Sequence, residues 1–336
     1  MMTTILTPAP ATVCDAAGMP RFGRYAGTLA ALDWSGLAGA YRRNAWWRHF
    51  HHKRWQYIGL VTEQICCAVA VVDVGWTNTA FAYVFERRQK KIISSFSQDG
   101  VPHLSARIAN APLSTDGSHF HCLRHHIDFV YQPAEQAYLL QLQSGALSVT
   151  ARLHLAGSAP GLTAIGPVQG GTVHTTCKSA GIPMTGEVCV GTKHFSLENG
   201  IASCDYSNGF LARETAWRWA SAHSLELGFN LQQGYFGQHE NALWLDGQLI
   251  ALGAAHFDYD PQQPLQTWHI YTDDGLLDVY FTPEGCRSEN KNLLVAASRY
   301  IQPIGCFNGW VKANKNAAAR PVHQLAGVTE DHAARW

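Results

Sequence analysis

WQYIGLVTEQICCAVAVVDVGWTNTAFAYVFE, residues 55–86, carries three runs rich in β-branched and aromatic residues, each closed by a short polar or glycine-bearing break. Such side chains suit a pleated, half-buried surface. Breaks every eight to twelve residues signal an all-β barrel or sandwich. Downstream, HIDFVYQ, AYLLQLQ and ALSVTARLHLA repeat the pattern. Beyond residue 185 it resumes in GEVCVGTKHFSLENGIASCDYS, TAWRWASAHSLELGFNLQ, ENALWLDGQLIALGAAHFD and QTWHIYTDDGLLDVYFTP. Asn199–Gly200, Asp246–Gly247 and Asp273–Gly275 read as hairpin turns, because these residues tolerate the positive φ that tight turns need. One short helix is expected within residues 32–50, where Leu37, Ala40 and Tyr41 share a face. The glycine- and proline-rich stretch 157–171 reads as a long loop. The expected organisation is a loose tail over residues 1–24, a first β-barrel over 25–203 and a second over 204–336.

Composition narrows the function classes. Basic and acidic residues balance at 25 each, so no electrostatic footprint for nucleic acid appears. Only 15% of residues are charged and 46% are apolar, which argues for a well-buried globular chain. Eleven tryptophans point to sheet cores or an apolar ligand pocket. Nine scattered cysteines without a C-x-x-C pair fit a reducing compartment and give no zinc knuckle. The N-terminus has no secretory pattern, and the longest apolar run is too short to span a bilayer. The expectation is a cytoplasmic protein without an integral membrane segment. Glycine-rich nucleotide loops and a G-x-S-x-G elbow are absent, which removes kinase, dehydrogenase and hydrolase-fold readings.

The segment DYSNGFLARETAWRWAS, residues 205–221, concentrates candidate chemistry. A carboxyl group among aromatics is disfavoured as an anion and can deliver a proton. Trp217 and Trp219, two apart, face one way on a strand and could stabilise a cation. The same residues would equally serve as a turn cap by Asp205 at Ser207–Gly209, with the tryptophans as core. In KRWQY, Lys53, Trp55 and Tyr57 share a face, where the lysine either orients a polar head group or snorkels to water. His223 shares a strand face with Trp219 and is a candidate partner base. The histidines of His49–His52 and His119–His126 lack a carboxylate at a diagnostic spacing, so no metal is expected.

DYSNG…TAWRWAS, KRWQY, ENALWLDG, the K-x-A-G-x-P stretch from Lys178 to Pro183 and the closing G-V-T-E to Glu330 occur in this order. On these motifs the chain resembles the bacterial family named domain of unknown function 2804. More distantly, an acid followed by W-x-W is similar to the lipocalin-like group of carotenoid hydratase, AttH and tocopherol cyclase; here Cys204 stands where that group carries a tryptophan. The resemblance implies two lipocalin/calycin-like antiparallel β-barrels or sandwiches in tandem, few helices, and a lipophilic pocket near their junction. It implies a cofactor-independent lyase or isomerase (hydratase, dehydratase or cyclase) for an isoprenoid, polyene or fatty-acyl-like substrate. Asp205 would be the acid, and His223 or Lys53 the relay or orienting group. Trp55, Tyr57, Tyr206, Trp217, Trp219, Glu240 and Asn241 would line the substrate site. The alternative is a lipid carrier without chemistry; third comes a carbohydrate-active enzyme using Asp205 and Glu240. The expected partner is a hydrophobic small molecule or lipid, and in a homodimer a second copy of the chain.

Overall fold

The structure, a computed structural model, describes residues 6–292 and 296–336. Strands dominate, and they form two large curled antiparallel sheets, one nearly a barrel and the other half of one, as the alternating sequence pattern predicts. In the first sheet the order begins Lys91–Gly100, Asn78–Glu86, Ile65–Asp73, His52–Val61, Gly200–Phe210, Val173–Val190. It continues through Leu147–His154, Ala137–Ser144, His125–Gln132, Ser118–Cys122 and Ala106–Arg107. The second sheet runs Gln248–Ala251, Ala242–Leu245, Leu227–Gly234, Glu214–His223, Arg320–Arg335, Ala297–Val311, Leu277–Asn292, Trp268–Thr272, Ala255–Asp258.

Period-two alternation decides what each face does. On His52–Val61, Ile58 and Leu60 enter the first sheet's core, whereas Trp55 and Tyr57 point outward to the second sheet. On Glu214–His223, Ala220 and Ala222 fill the second core, and Trp217 and Trp219 look back at the first sheet. The two sheets meet through Cys66, Ala68, Tyr83, Phe85, Trp219, Ile304 and Val328, all buried. Burying each large apolar side chain here contributes roughly 1.5–3 kcal/mol, so this seam fixes the two sheets against each other.

Local details depart from the sequence pattern in physically simple ways. Asp246–Gly247 (φ 49° and 78°) and the Asp273–Gly275 turn join paired strands as expected. Asn199 also takes positive φ, yet Lys193–Ser196 and Gly200–Phe210 pair successively with the same strand, Val173–Val190. The turn there interrupts one edge and makes no hairpin. Residues 207–209 continue the strand instead of turning, with Gly209 pressed against the Val173 carbonyl and the His174 backbone, where a Cβ would clash at 2.6 Å. Within 157–171, Leu162–Pro167 is a strand between Gly23–Ala26 and Val173–Val190. The helix is Ala45–His51, set by Asn44, whose side chain accepts the Trp47 N–H at 2.8 Å. Leu37 and Tyr41 lie ahead of it, and Gly39–Tyr41 form a single 3-10 turn. From Leu6 the amino-terminal stretch is tied down by Val13, which is buried, and by a bridge from Pro8 to Ala26. The chain passes from one sheet to the other between Phe210 and Glu214.

Candidate functional site

Between the outward face of the first sheet and the facing side of the second lies a cavity of about 240 Å3. Register builds its polar end. Tyr57 pairs with Asp205, and Asp205 with Lys178, so three side chains from three strands stand in one row. Two residues along each strand, on the same face, Trp55, Ser207 and Thr176 form the next row. Lys178 Nζ lies 2.6 Å from Asp205 Oδ2 and 2.8 Å from Glu240 Oε2. Glu240 arrives from the other side, at the end of the 3-10 turn Gly237–Glu240 that leads into the second sheet.

Asp205 also accepts from Ser207 Oγ (3.2 Å), Thr176 Oγ1 (3.4 Å) and the Trp55 indole N–H (3.4 Å). Each hydroxyl has one proton and a nearer acceptor as well, Thr176 Oγ1 at 2.8 Å for Ser207 and the Tyr206 carbonyl at 3.2 Å for Thr176, so Lys178 is the principal donor to Asp205. Burial works against the charge of Lys178, and Asp205 and Glu240 outweigh it, holding the ammonium above its ordinary value. Burial pushes Glu240 up in spite of the neighbouring ammonium. One cation among two carboxylates leaves a surplus negative charge in a dry site, so a proton on Glu240 relieves it.

Across the cavity stands Glu330, opposite Trp219 in the strand register. Its Oε1 accepts the Trp217 indole N–H at 2.7 Å, and its Oε2 accepts Gln302 Nε2 at 3.1 Å. Gln302 Oε1 in turn accepts the Tyr83 hydroxyl at 2.7 Å, so the carboxyl group is held from behind. Burial raises Glu330 to about 7, with the Asp205 charge adding to the rise and the Trp217 and Gln302 hydrogen bonds opposing it. His332 is pushed by burial to about 3 and stays neutral beside it. The walls are aromatic: Trp55 and Trp217 lie nearly parallel (6°, centroids 6.4 Å), and Tyr235 meets Trp217 edge-on at 5.5 Å.

The structure therefore gathers Asp205, Trp55, Tyr57, Trp217, Trp219 and Glu240 at one cavity. Tyr206, one residue from Asp205, points to the opposite face, into the first core, and donates to the Ala109 carbonyl at 2.7 Å. Asn241 is fully buried and structural: its Oδ1 accepts the Gln232 N–H and its Nδ2 donates to the Gly253 carbonyl. His223 sits on the Trp219 side of its strand but behind it, bonded to Ser221 Oγ at 2.7 Å, and burial lowers it to about 3. Lys53 donates to the Phe50 and Val74 carbonyls, both at 2.8 Å, beneath the Trp336 ring. Burial lowers it to about 7. Lys178 and Glu330, which open and close two of the quoted motifs, also stand at the cavity, together with Gln302, Tyr235 and His332, which no motif contains. The available signal was a lone lysine inside a buried strand pattern at VHTTCKSAG, and the acids Glu330 and Asp331 ending the apolar pattern of LAGVTEDH.

The cavity carboxylates are engaged with Lys178, Trp217 and Gln302. Elsewhere, among the described residues, one group of three ligating side chains brings its donor atoms within 4.8 Å: Glu187, Cys189 and His194, on the outer hairpin of the first sheet. His119 and His121 stack at 4.8 Å, and His121 is bonded to Asp128 at 2.9 Å. No helix among the described residues is long and apolar enough to cross a membrane.

Two curled antiparallel sheets enclosing an aromatic cavity with buried carboxyl groups define the class of this protein. The chain belongs to the family described as domain of unknown function (DUF2804), whose model matches residues 4–336. Among solved structures it is similar to CghA in complex with Sch210972 (TM-score 0.61, 8% identity, 97% of each chain covered). An AttH-like protein of Nitrosomonas europaea matches with TM-score 0.54 and 12% identity, over 84% of this chain and 92% of that one. Kievitone hydratase of Nectria haematococca matches with TM-score 0.51 and 8% identity, over 98% of each chain. At these identities the likeness concerns the fold. No curated protein sequence matches the chain.

Proposed function

We propose that the inter-sheet cavity is the active site of a lyase or isomerase that transfers protons to and from a lipophilic small molecule, without an organic cofactor. The observation that carries this reading is Glu330, a buried carboxyl group raised to about 7 and presented to an aromatic-walled cavity. A group of that kind is un-ionised for much of the time near neutral pH and can act as acid and then as base. Glu330 gives its proton to an alkene carbon or a leaving hydroxyl. The faces of Trp55, Trp217 and Trp219 and the Glu330 carboxylate left by the proton transfer stabilise the cation that forms. Water then adds and gives up one proton to the Glu330 carboxylate, or a neighbouring C–H bond breaks and returns its proton to the same group. Asp205 serves as the fixed anion that holds Lys178. Hydration, dehydration, isomerisation and cyclisation all share this first step. The resemblance to a hydratase fold fits this reading.

A glycosidase pair made of Asp205 and Glu240 is disfavoured by one fact. The Lys178 ammonium occupies the space between the two carboxylates, where a sugar acetal would have to sit.

The test begins with mass spectrometry of organic extracts from the purified protein. The compound found is then incubated in deuterated water with wild type and Glu330→Gln. Wild type incorporates deuterium or water into the compound; the variant retains the compound and stops turnover. Normal turnover by Glu330→Gln removes Glu330 as acid, and a compound that wild type holds unchanged identifies a carrier instead.

A further inference from the structure

The end of Val173–Val190 and Lys193–Ser196 make a tight hairpin on the first sheet, with Gly191 at φ 59° in the turn. Parity sorts its side chains. Val188 and Phe195 stand opposite each other and sink into the first core, which anchors the hairpin from below. Glu187, Cys189 and His194 therefore project together from the outer face. Cys189 and His194 are direct cross-strand partners, and Glu187 lies two residues before Cys189 on the same strand. Cys189 Sγ is 3.2 Å from His194 Nδ1, and the same Nδ1 is 3.4 Å from Glu187 Oε2.

These are the spacings of ligands around one ion. Zinc bonds of about 2.3 Å to sulfur and about 2.0–2.2 Å to nitrogen and oxygen, at tetrahedral angles, separate the donor atoms by about 3.3–3.7 Å. All three donor atoms already lie within 4.8 Å of one another, so small side-chain rotations complete the set. Charge fits as well. Among the described residues Glu187 pairs with His194 and with no lysine or arginine, and Lys193 is spent on Glu86 at 2.7 Å. A thiolate and a carboxylate neutralise a dication, with imidazole as the uncharged third ligand. Ser148, opposite Cys189 on Leu147–His154, brings its hydroxyl to the sulfur, where it supports a metal-bound thiolate from the outer shell. Mixed sulfur, nitrogen and oxygen donors suit zinc, whereas calcium and magnesium take oxygen shells.

We propose that Glu187, Cys189 and His194 form a zinc(II) site whose fourth position is left to water. With ligands from both strands, the ion clips the four-residue edge strand Lys193–Ser196 to Val173–Val190. Binding releases the thiol proton to solvent, so affinity rises with pH. None of the three ligands lines the inter-sheet cavity, and the site stands apart from the chemistry proposed there.

The experiment titrates the full chain, kept reduced by a phosphine and freed of metal by dialysis against a chelator, with cobalt(II) as the optical probe. The expected result is one equivalent bound per chain, with a thiolate-to-cobalt charge-transfer band in the near ultraviolet and the strong visible bands of a four-coordinate ion. Zinc(II) then abolishes both. Cys189→Ser removes the charge-transfer band. Glu187→Gln and His194→Gln each weaken binding at least as much as loss of an outer-shell partner does, about 10–100-fold. The variants keep the metal-free unfolding midpoint of wild type, because the three side chains sit on the outer face, and zinc slows amide exchange of residues 193–196 in wild type only. A charge-transfer band that survives Cys189→Ser assigns the metal to another cysteine and overturns the proposal. Weak octahedral bands alone would show adventitious binding by surface carboxylates and histidines and overturn it too, as would wild type that gives no band at saturating cobalt. Glu330→Gln binds cobalt like wild type, so the outcome is independent of the catalytic reading.

Discussion

Replacing Glu330 by Gln removes one ionisation from the cavity while keeping shape and an acceptor for the Trp217 indole. In the folded protein Glu330 ionises at about 7, against 4.5 for an unperturbed carboxyl group. The folded state therefore binds the proton more tightly than the unfolded chain. Stability from this group is complete below 4.5 and is lost as pH rises through 7. At 1.36 kcal/mol for each tenfold change in proton affinity, the loss amounts to about 3 kcal/mol above pH 7. The variant has no such loss. Its stability relative to wild type should rise by up to about 3 kcal/mol from below pH 4.5 to above pH 7. The offset at low pH reflects the exchange of hydrogen bonds with Gln302, on the order of 1 kcal/mol. Urea unfolding followed by tryptophan fluorescence across this range reads the difference directly. A wild-type-to-variant difference that stays flat with pH would mean that Glu330 ionises like an exposed carboxyl group. The proton donor of the proposed reaction would then be lost along with the prediction.

Trp217→Phe deletes the 2.7 Å donor to Glu330 and so weakens the carboxylate relative to the acid. The pH at which wild type and Glu330→Gln diverge should move up by on the order of one pH unit in this background, measured by the same titrations. Lys178→Met leaves Glu240 and Asp205 buried without their shared cation and should cost about 3–5 kcal/mol at neutral pH. Because burial already raises Glu240, that deficit should be largest at high pH and shrink as pH falls and Glu240 takes up a proton. Tyr206→Phe strips the donor from the buried Ala109 carbonyl; it should cost about 1–3 kcal/mol in urea unfolding and leave retention of the co-purifying compound unchanged. A loss of the compound without a loss of stability would place Tyr206 in the ligand site.

How much of this was legible in the residues follows from parity along strands. Two curled sheets, the turns at Asp246–Gly247 and Asp273–Gly275, and the pairing of Trp217 with Trp219 on one face all follow from local rules. Period-two alternation and the positive φ of turn residues need no tertiary information. Parity also separates Tyr206 from Asp205: neighbours on a strand face opposite ways, so both could not line one cavity once Gly200–Phe210 was a continuous strand. What local pattern could not supply was register between distant strands. Lys178 lies 27 residues before Asp205 in the chain, and only the pairing of Val173–Val190 with Gly200–Phe210 brings them side by side. Glu330 meets Trp217 through the last strand, more than a hundred residues on. The lysine in VHTTCKSAG and the acids in LAGVTEDH marked Lys178 and Glu330 as costly to bury. A buried charge must be paired or neutralised, so each implied an unseen partner. The cavity holds two solutions: Lys178 is paired twice, and Glu330 is raised by burial to about 7. That asymmetry, two carboxyl groups bonded to one ammonium and a third held only by the Trp217 indole and Gln302, is why the proposed reaction assigns the proton to Glu330 and not to Asp205.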